Sequence, residues 1–371
     1  MKLRTLKNAD IKNKTVLYRS PYDIGTKHTE GSYVIKDDSR IRATIPTLKY
    51  LLKQNCKIVI ITFVGRPKGK AVAKLSTKPH AIALSKVLSH NVKHIDNCIG
   101  KKVGTAVSKM SPKDIIMLEN TRFYKQETKN DDNFAKKLTE GKDFIVFDGF
   151  PQAHREHAST TGILRHLPSC AGFYLENEVK NLSGLIDHPV HPFTLLIGGI
   201  KFETKLDVMN RFLDKVDHIL IGGRLPADPV AVKLAHNPKV INGTLTNDEY
   251  DIEPETVSVF SEIIRVSKTV LWAGPMGRFE DGVHDKGTSS IARAVTRVKK
   301  NGGTSIVAGG DTIEALKKYG TPSKINHISL AGGATLEFLA GRKLPALEML
   351  IGVTPICGDH RKTLSGQRKR G

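Results

Sequence analysis

Short apolar runs rich in Val, Ile and Phe alternate with helix-periodic stretches along almost the whole chain, and that alternation limits the possible folds sharply. In the first half the strand candidates are Thr15–Arg19, Lys57–Phe63, Asp114–Glu119 and Phe144–Asp148. In the second half they are Phe193–Ile197, His218–Ile221, Thr269–Trp272, Thr304–Val307 and His327–Leu330. Helical periodicity falls between them at Ile41–Gln54, His80–Leu88, Asp131–Thr139, Asn177–Asp187, Leu206–Lys215, Glu255–Ser267, Ser289–Lys300 and Ile313–Lys318. A strand buried on both faces reads as an unbroken apolar run, and a helix between successive strands supplies the crossover that parallel pairing needs. The fold class is therefore α/β, with one doubly wound, Rossmann-like parallel sheet in each half. A length of 371 residues is long for one core and predicts two domains. Their expected bounds are 1–173 and 189–345, with a linking helix over 174–188 and a C-terminal segment with a basic tail over 346–371.

In such sheets ligands bind beyond the carboxyl ends of the strands, so the residues just after each run matter most. In the first half they include arginines: Arg19, Arg66, Arg122 and, a few residues after Asp148, Arg155. In the second half they are glycines: Gly198-Gly199, Gly222-Gly223, Gly274-Pro275, Gly309-Gly310-Asp311 and Gly332-Gly333. Arginine forks suit a carboxylate or a phosphate, and glycine turns before helices suit a polyphosphate tail. The stretch Leu195–Lys205, L-L-I-G-G-I-K-F-E-T-K, adds lysines at positions 201 and 205, one helical turn apart. Taken alone it reads more readily as a tight strand-to-helix turn with two solvated lysines than as a phosphate cradle. Two anion sites of different character point to phosphoryl transfer between two anions.

The net charge of +21 is unevenly placed. Residues 1–150 hold 30 Lys/Arg against 14 Asp/Glu, residues 151–350 hold 23 against 22, and residues 351–371 hold 5 against 1. A basic first half and a tail reading H-R-K-T-L-S-G-Q-R-K-R-G attract polyanions: a small phosphorylated substrate, an acidic protein, or RNA and ribonucleoprotein through counterion release. Without an aromatic-interleaved basic stretch, sequence-specific nucleic-acid recognition is not implied. Cys56, Cys98, Cys170 and Cys357 lack C-x-x-C spacing, so neither a zinc site nor a disulfide framework is indicated. No apolar run approaches membrane-span length and the N-terminus has no signal-peptide core, so the expectation is a cytoplasmic protein without a membrane partner.

Read in order, the motifs resemble the phosphoglycerate kinase family from about Lys14 to about Ala346. They are D-D-S-R-I-R-A (Asp37–Ala43), G-R-P-K-G (Gly65–Gly69), L-E-N-T-R-F (Leu118–Phe123), A-H-R-E-H-A-S (Ala153–Ser159), G-G-I-K-F-E-T-K (Gly198–Lys205), W-A-G-P-M-G-R-F-E (Trp272–Glu280), G-G-D-T (Gly309–Thr312) and H-I-S-L-A-G-G-A-T-L-E-F-L (His327–Leu339). The resemblance implies two doubly wound domains facing across a cleft, in a chain that is monomeric. It places 3-phosphoglycerate on the N-terminal side, with Arg19, Asp23, Arg66, Arg122, His154 and Arg155 as the triose or anion set. It places Mg2+ with ADP or ATP on the C-terminal side, with Gly198, Gly199, Lys201, Lys205, Glu280, Gly309, Gly310, Asp311 and Thr312 as the nucleotide and phosphate set. Arg40 and Lys205 would be catalytic, and Asp311 would meet the metal of the nucleotide.

Departures from the family pattern are concentrated at both sites. The family's R-V-D-F-N is here Arg19-Ser20-Pro21-Tyr22-Asp23, so the triose-binding aspartate becomes Pro21 and the asparagine becomes Asp23. The histidine of S-H-L-G-R-P becomes Phe63. On the nucleotide side Arg224 stands in a glycine turn, Glu249 and Glu253 replace glycines, Ala273 replaces asparagine, and Arg278 replaces an aliphatic residue. Ala308, Leu330 and Ala331 replace two glycines and a threonine, and the segment between Arg224 and Ser267 is short. These changes predict that Arg224 and Arg278 pair with Glu249 inside the purine pocket and fill it. On that basis the chain reads as a weak or inactive kinase homologue serving as a binding or structural protein for an acidic partner. The alternative is an active phosphoglycerate kinase of glycolysis, or one preferring a simpler phosphoryl donor.

Overall fold

The computed structural model describes residues 1–352. The basic tail and Cys357 lie outside them. Two compact units divide the chain, one of Met1–Glu178 together with the residues from Leu344 onward, the other of Val179–Lys343.

The first unit holds a six-stranded parallel sheet of β1 (Thr15–Arg19), β4 (Lys57–Ile61), β5 (Val92–Ile95), β6 (Ile115–Leu118), β7 (Phe144–Phe147) and β8 (Ser169–Ala171). Its order is β5-β6-β4-β1-β7-β8. β6 and β7 are buried throughout and β1 and β4 from their second residue on, as expected of strands covered on both faces. Helices α1 (Ser39–Lys53), α2 (Lys78–Leu88), α3 (Lys101–Ser108), α4 (Lys125–Thr128) and α5 (Asp132–Thr139) fall between strands. Asp131 caps α5 by accepting from Phe134 N–H at 2.7 Å. An exposed antiparallel hairpin, β2 (Thr26–Thr29) and β3 (Ser32–Ile35), turns through Glu30 and Gly31, both at positive φ. That is the two-residue turn that matches strand twist.

Helix α6 (Phe173–Asp187) runs through the division at residue 178. The second unit holds β9 (Phe193–Ile197), β10 (His218–Ile221), β11 (Val240–Asn242), β12 (Thr269–Ala273), β13 (Thr304–Ala308) and β14 (His327–Ser329). They are ordered β11-β10-β9-β12-β13-β14, all parallel. The chain starts mid-sheet, builds outward on one side, then returns beside β9 to build on the other, so the strand order reverses between β9 and β12. Around this sheet lie α7 (Glu203–Phe212), α8 (Pro229–Leu234), α9 (Pro254–Val266), α10 (Lys286–Val298), α11 (Gly310–Tyr319) and α12 (Gly333–Leu339).

Beyond Lys343 the chain rejoins the first unit through α13 (Pro345–Glu348). Ala346 N–H donates to Ala153 O at 3.1 Å, Gly352 N–H to Lys2 O at 3.1 Å, and the Arg4 guanidinium to Ser169 O at 2.8 Å. The residues from 346 to 352 are therefore woven into that unit, where the sequence suggested a separate segment. Among the described residues no helix is long and apolar enough to cross a membrane.

Candidate functional site

In the second unit the glycine turns meet at the point where strand order reverses. Gly198 follows β9 and Gly274 follows β12, and the two backbones touch: a Cβ on Gly198 would lie 2.1 Å from Pro275 O and 2.7 Å from Gly274 O. Gly199 N–H donates to Pro275 O at 2.9 Å, and Gly223 N–H to Met276 O at 3.1 Å. Thr312 Oγ1, buried at the start of α11, accepts from Gly274 N–H at 2.8 Å. The loops are thus locked to one another through main chain, and only residues without a Cβ allow that approach.

Around these turns opens a cavity of about 540 Å³, a size usual for small-molecule sites. It is lined by Gly199, Lys201, Lys205, Glu280 and Gly309 to Thr312, so most of the predicted nucleotide set comes together there. Gly198 lies behind it as packing. α11 begins at Gly310 after Gly309 at φ +97, with Asp311 in its first turn, so free N–H groups face the cavity. Burial lowers the Lys205 pKa, and Asp311 partly offsets this.

The expected plug is absent. Arg224 does pair with Glu249, NH2 to Oε2 at 3.2 Å, but both side chains are 50% exposed. Arg278 turns instead toward Asp281, Nε to Oδ2 at 3.5 Å. Both guanidinium groups lie over the Tyr250 ring, at 5.8 and 5.1 Å from its centre. The arginines and Tyr250 therefore form a wall of an open cavity. A guanidinium keeps most of its hydration there while gaining a π face, which is less costly than full burial between carboxylates.

The first unit gathers its arginines at the ends of β1, β4, β6 and β7. Arg66, Arg122, Arg155 and His157 line a cavity of about 480 Å³. Arg122 NH1 donates to Gly65 O at 2.6 Å while its guanidinium stacks 3.6 Å from the Phe63 ring centre. Asp23 braces this region: Oδ1 accepts from Gly65 N–H at 2.9 Å and its carbonyl accepts from Arg40 NH1 at 2.7 Å. The carboxylate that replaces the family's asparagine thus holds backbone. Arg19 is fully buried, donating to Ser159 O at 2.8 Å and to Ser20 O, with burial pushing it down to about 10. It lies beneath the cup and reaches no solvent. His154 is half-buried in the loop that carries Arg155.

His157 was not singled out from the sequence, although it stands in the A-H-R-E-H motif. Burial, then the charges of Arg122, Arg155 and Arg19, hold its pKa down to about 4, so it is a neutral member of a cationic site. Tyr250 and Gly223 also line the nucleotide-side cavity outside the predicted set. Tyr250 carried no signal as a single aromatic in a loop.

A doubly wound sheet with glycine turns at its reversal point, an open cavity and two lysines beside a helix start defines a phosphate-binding α/β unit. A second sheet carries an arginine-lined cavity of its own. Comparison with known proteins gives the family. The family model for phosphoglycerate kinase matches residues 6–228 and 224–342. Phosphoglycerate kinase of Finegoldia magna is 36% identical over 399 residues, covering 94% of this chain and 99% of that protein. The Borreliella burgdorferi enzyme is 35% identical over 403 residues, covering 94% and 100%. Among solved structures, phosphoglycerate kinase from Coxiella burnetii aligns with a TM-score of 0.79 at 29% identity, covering 94% of this chain and 98% of that one. The chain belongs to the phosphoglycerate kinase family.

Proposed function

We propose that this chain is a working phosphoglycerate kinase, moving a phosphoryl group between a nucleoside diphosphate and the carboxylate of a phosphorylated three-carbon acid. The observation that carries this reading is the open cavity of the second unit, with Lys201, Lys205, Asp311 and the α11 start on its lining. In the forward direction the bond between phosphorus and the acyl oxygen of 1,3-bisphosphoglycerate breaks. A bond forms to the terminal oxygen of ADP, leaving 3-phosphoglycerate and ATP. The chemistry asks the protein mainly for position and for cations where charge develops. Lys201 and Lys205 hold nucleotide phosphates, Glu280 the ribose, and Arg66, Arg122 and Arg155 the triose anion, with Arg40 the further catalytic cation.

Magnesium fits this reading. Among the described residues no group of three metal-ligating side chains is present, and Mg2+ is typically held by one or two carboxylates plus substrate phosphates. Asp311 is the residue that would hold it, and the ion would neutralise phosphate charge. A cytoplasmic monomer, as expected from the sequence, goes with this reading.

The non-catalytic reading rested partly on a filled purine pocket, and that support is gone. Its remaining basis is Pro21 and Phe63 on the triose side, Glu253, Ala273, Ala308, Leu330, Ala331 and the short segment before Ser267 on the nucleotide side, and the excess of cations in residues 1–150 and in the tail, which leaves an acidic or RNA partner as a second proposal. Calorimetric titration with Mg-ADP separates the two. Micromolar binding, lost in Lys205→Ala, supports the kinase; no binding at millimolar nucleotide leaves only the second reading.

A further inference from the structure

The cavity of the second unit has a lining of two kinds. Lys201, Lys205 and the α11 start form one, suited to phosphates. Arg224, Tyr250 and Arg278 form the other, which the kinase reading leaves without a role. The carboxylates on the lining, Glu280 and Asp311, are assigned in that reading to the ribose and the metal. What remains to meet a base is a pair of guanidinium groups.

These arginines are held in place by main chain and by one ring. Arg224 N–H donates to Gly199 O at 3.0 Å, and Arg278 N–H to Tyr250 O at 2.8 Å. The Tyr250 ring packs on His284 with ring centres 5.2 Å apart and carries both guanidinium groups over it, at 5.8 and 5.1 Å. Glu249 takes Nη2 of Arg224, and Asp281 lies on the Nε side of Arg278. Among the described residues, Nη1 of Arg224 and both Nη1 and Nη2 of Arg278 make no hydrogen bond. A fork is therefore left for a ligand.

A guanidinium donates hydrogen bonds and cannot accept them. Guanine presents two acceptors side by side, O6 and N7, which match that fork; adenine sets a donor, its N6 amino group, beside N7. A wall of donors alone thus distinguishes the two purines. We propose that Arg278, with Arg224 beside it, reads the O6 and N7 edge of a guanine base, so that the cavity prefers guanine over adenine nucleotides. This rests on the reading of the cavity as a nucleotide site and names the nucleotide it favours. The side chains are 56% and 50% exposed, so water competes for the fork and the preference expected is about tenfold.

The test is calorimetric titration of the full chain, with Mg2+ present, using GDP, inosine diphosphate, ADP and inorganic tripolyphosphate. GDP is expected to bind about tenfold tighter than ADP. Inosine diphosphate, which keeps O6 and N7 and lacks the N2 amino group, is expected to match GDP within about twofold. In Arg278→Leu the preference for GDP over ADP falls to about one, and it falls also in Arg278→Lys, where an ammonium keeps the charge and loses the fork. Arg224→Ala lowers it in the same sense, each variant being shown folded by thermal melting. Equal affinities for GDP and ADP, or a preference that survives Arg278→Leu or Arg278→Lys, overturns the inference and leaves the kinase reading standing. Tripolyphosphate bound as tightly as GDP, and weakened by the same substitutions, overturns it by making the arginines phosphate ligands. No binding of any nucleotide overturns the inference and the kinase reading together.

Discussion

The guanidinium of Arg122 lies flat against Phe63, 3.6 Å from the ring centre, where the family motif has a histidine. Arg19 approaches the same ring at 4.9 Å, so one buried phenyl group supports two cations. A histidine there could donate to a substrate oxygen. The phenyl ring cannot, and its contribution is to fix the planes of the guanidinium groups.

Phe63→Leu tests that role. It is expected to lower stability by about 1–2 kcal/mol through lost area and lost cation–π contact. KM for 3-phosphoglycerate should rise about three- to tenfold while kcat stays within about twofold, because the arginine loses its support and not its charge. A stability loss with KM unchanged would make Phe63 packing only.

Gly198→Ala should damage the nucleotide side severely for so small a change. The added methyl would meet two carbonyl oxygens of the backbone, which cannot swing aside as a flexible side chain would. Overpacking of this kind costs about 1–3 kcal/mol, readable by urea unfolding. Mg-ADP affinity is expected to fall by more than about tenfold as the turns separate. Unchanged affinity would mean that contact between the turns does not shape the cavity.

Removing the Arg224–Glu249 pair should do little. Both side chains are half-exposed, so Arg224→Ala and Glu249→Ala should each change stability by no more than about 1 kcal/mol. Mg-ADP affinity should stay within about tenfold of wild type. A gain of about a hundredfold in Arg224→Ala would show that the pair does block the nucleotide.

His284 gives a pH dependence. Its Nδ1 lies 2.7 Å from Asp281 Oδ2 and its Nε2 lies 2.9 Å from Asp248 Oδ2. A neutral imidazole can donate through only one nitrogen, so satisfying both carboxylates takes the imidazolium. The bond to Asp281, then that to Asp248, raises the His284 pKa above its ordinary 6.5. The ring packs on Tyr250; Arg278 and Lys318 act on the same Asp281, and Asp251, beside Asp285, lies near the imidazole. A group whose folded pKa is raised stabilises fully below its unfolded value and loses that effect as pH rises through the folded one. The melting-temperature difference between wild type and His284→Gln should therefore be largest near about pH 6 and shrink by about pH 9. A difference that does not change with pH would contradict a charged bridge.

The sequence was most legible where burial is complete. β9 and β10 match the expected runs residue for residue, and β1 does so too, because strands covered on both faces leave no polar position to confuse the pattern. β5, V-K-H-I, went unread: at the sheet edge its lysine is exposed, so the apolar run that marks a central strand never forms. Chemistry was legible by residue type and less so by depth. Arg19 read as a ligand contact because arginines at strand ends usually are, yet it is fully buried beneath the cup, its Nε donating to Ser159 O and its NH1 to Ser20 O. Arg224 and Glu249 were matched correctly as partners and Arg278, which pairs with Asp281, was not; Arg224 lines the cavity beside Tyr250 instead of filling it.

The most direct test of the account is turnover: purified protein with Mg-ATP and 3-phosphoglycerate, 1,3-bisphosphoglycerate formation followed by a coupled assay, beside Arg40→Ala and Lys205→Ala. The prediction is turnover by the wild type that falls by about 10²–10³ in each variant, with both variants folded by thermal melting. No turnover by a wild-type protein that binds both ligands, or turnover indifferent to Arg40 and Lys205, would contradict it.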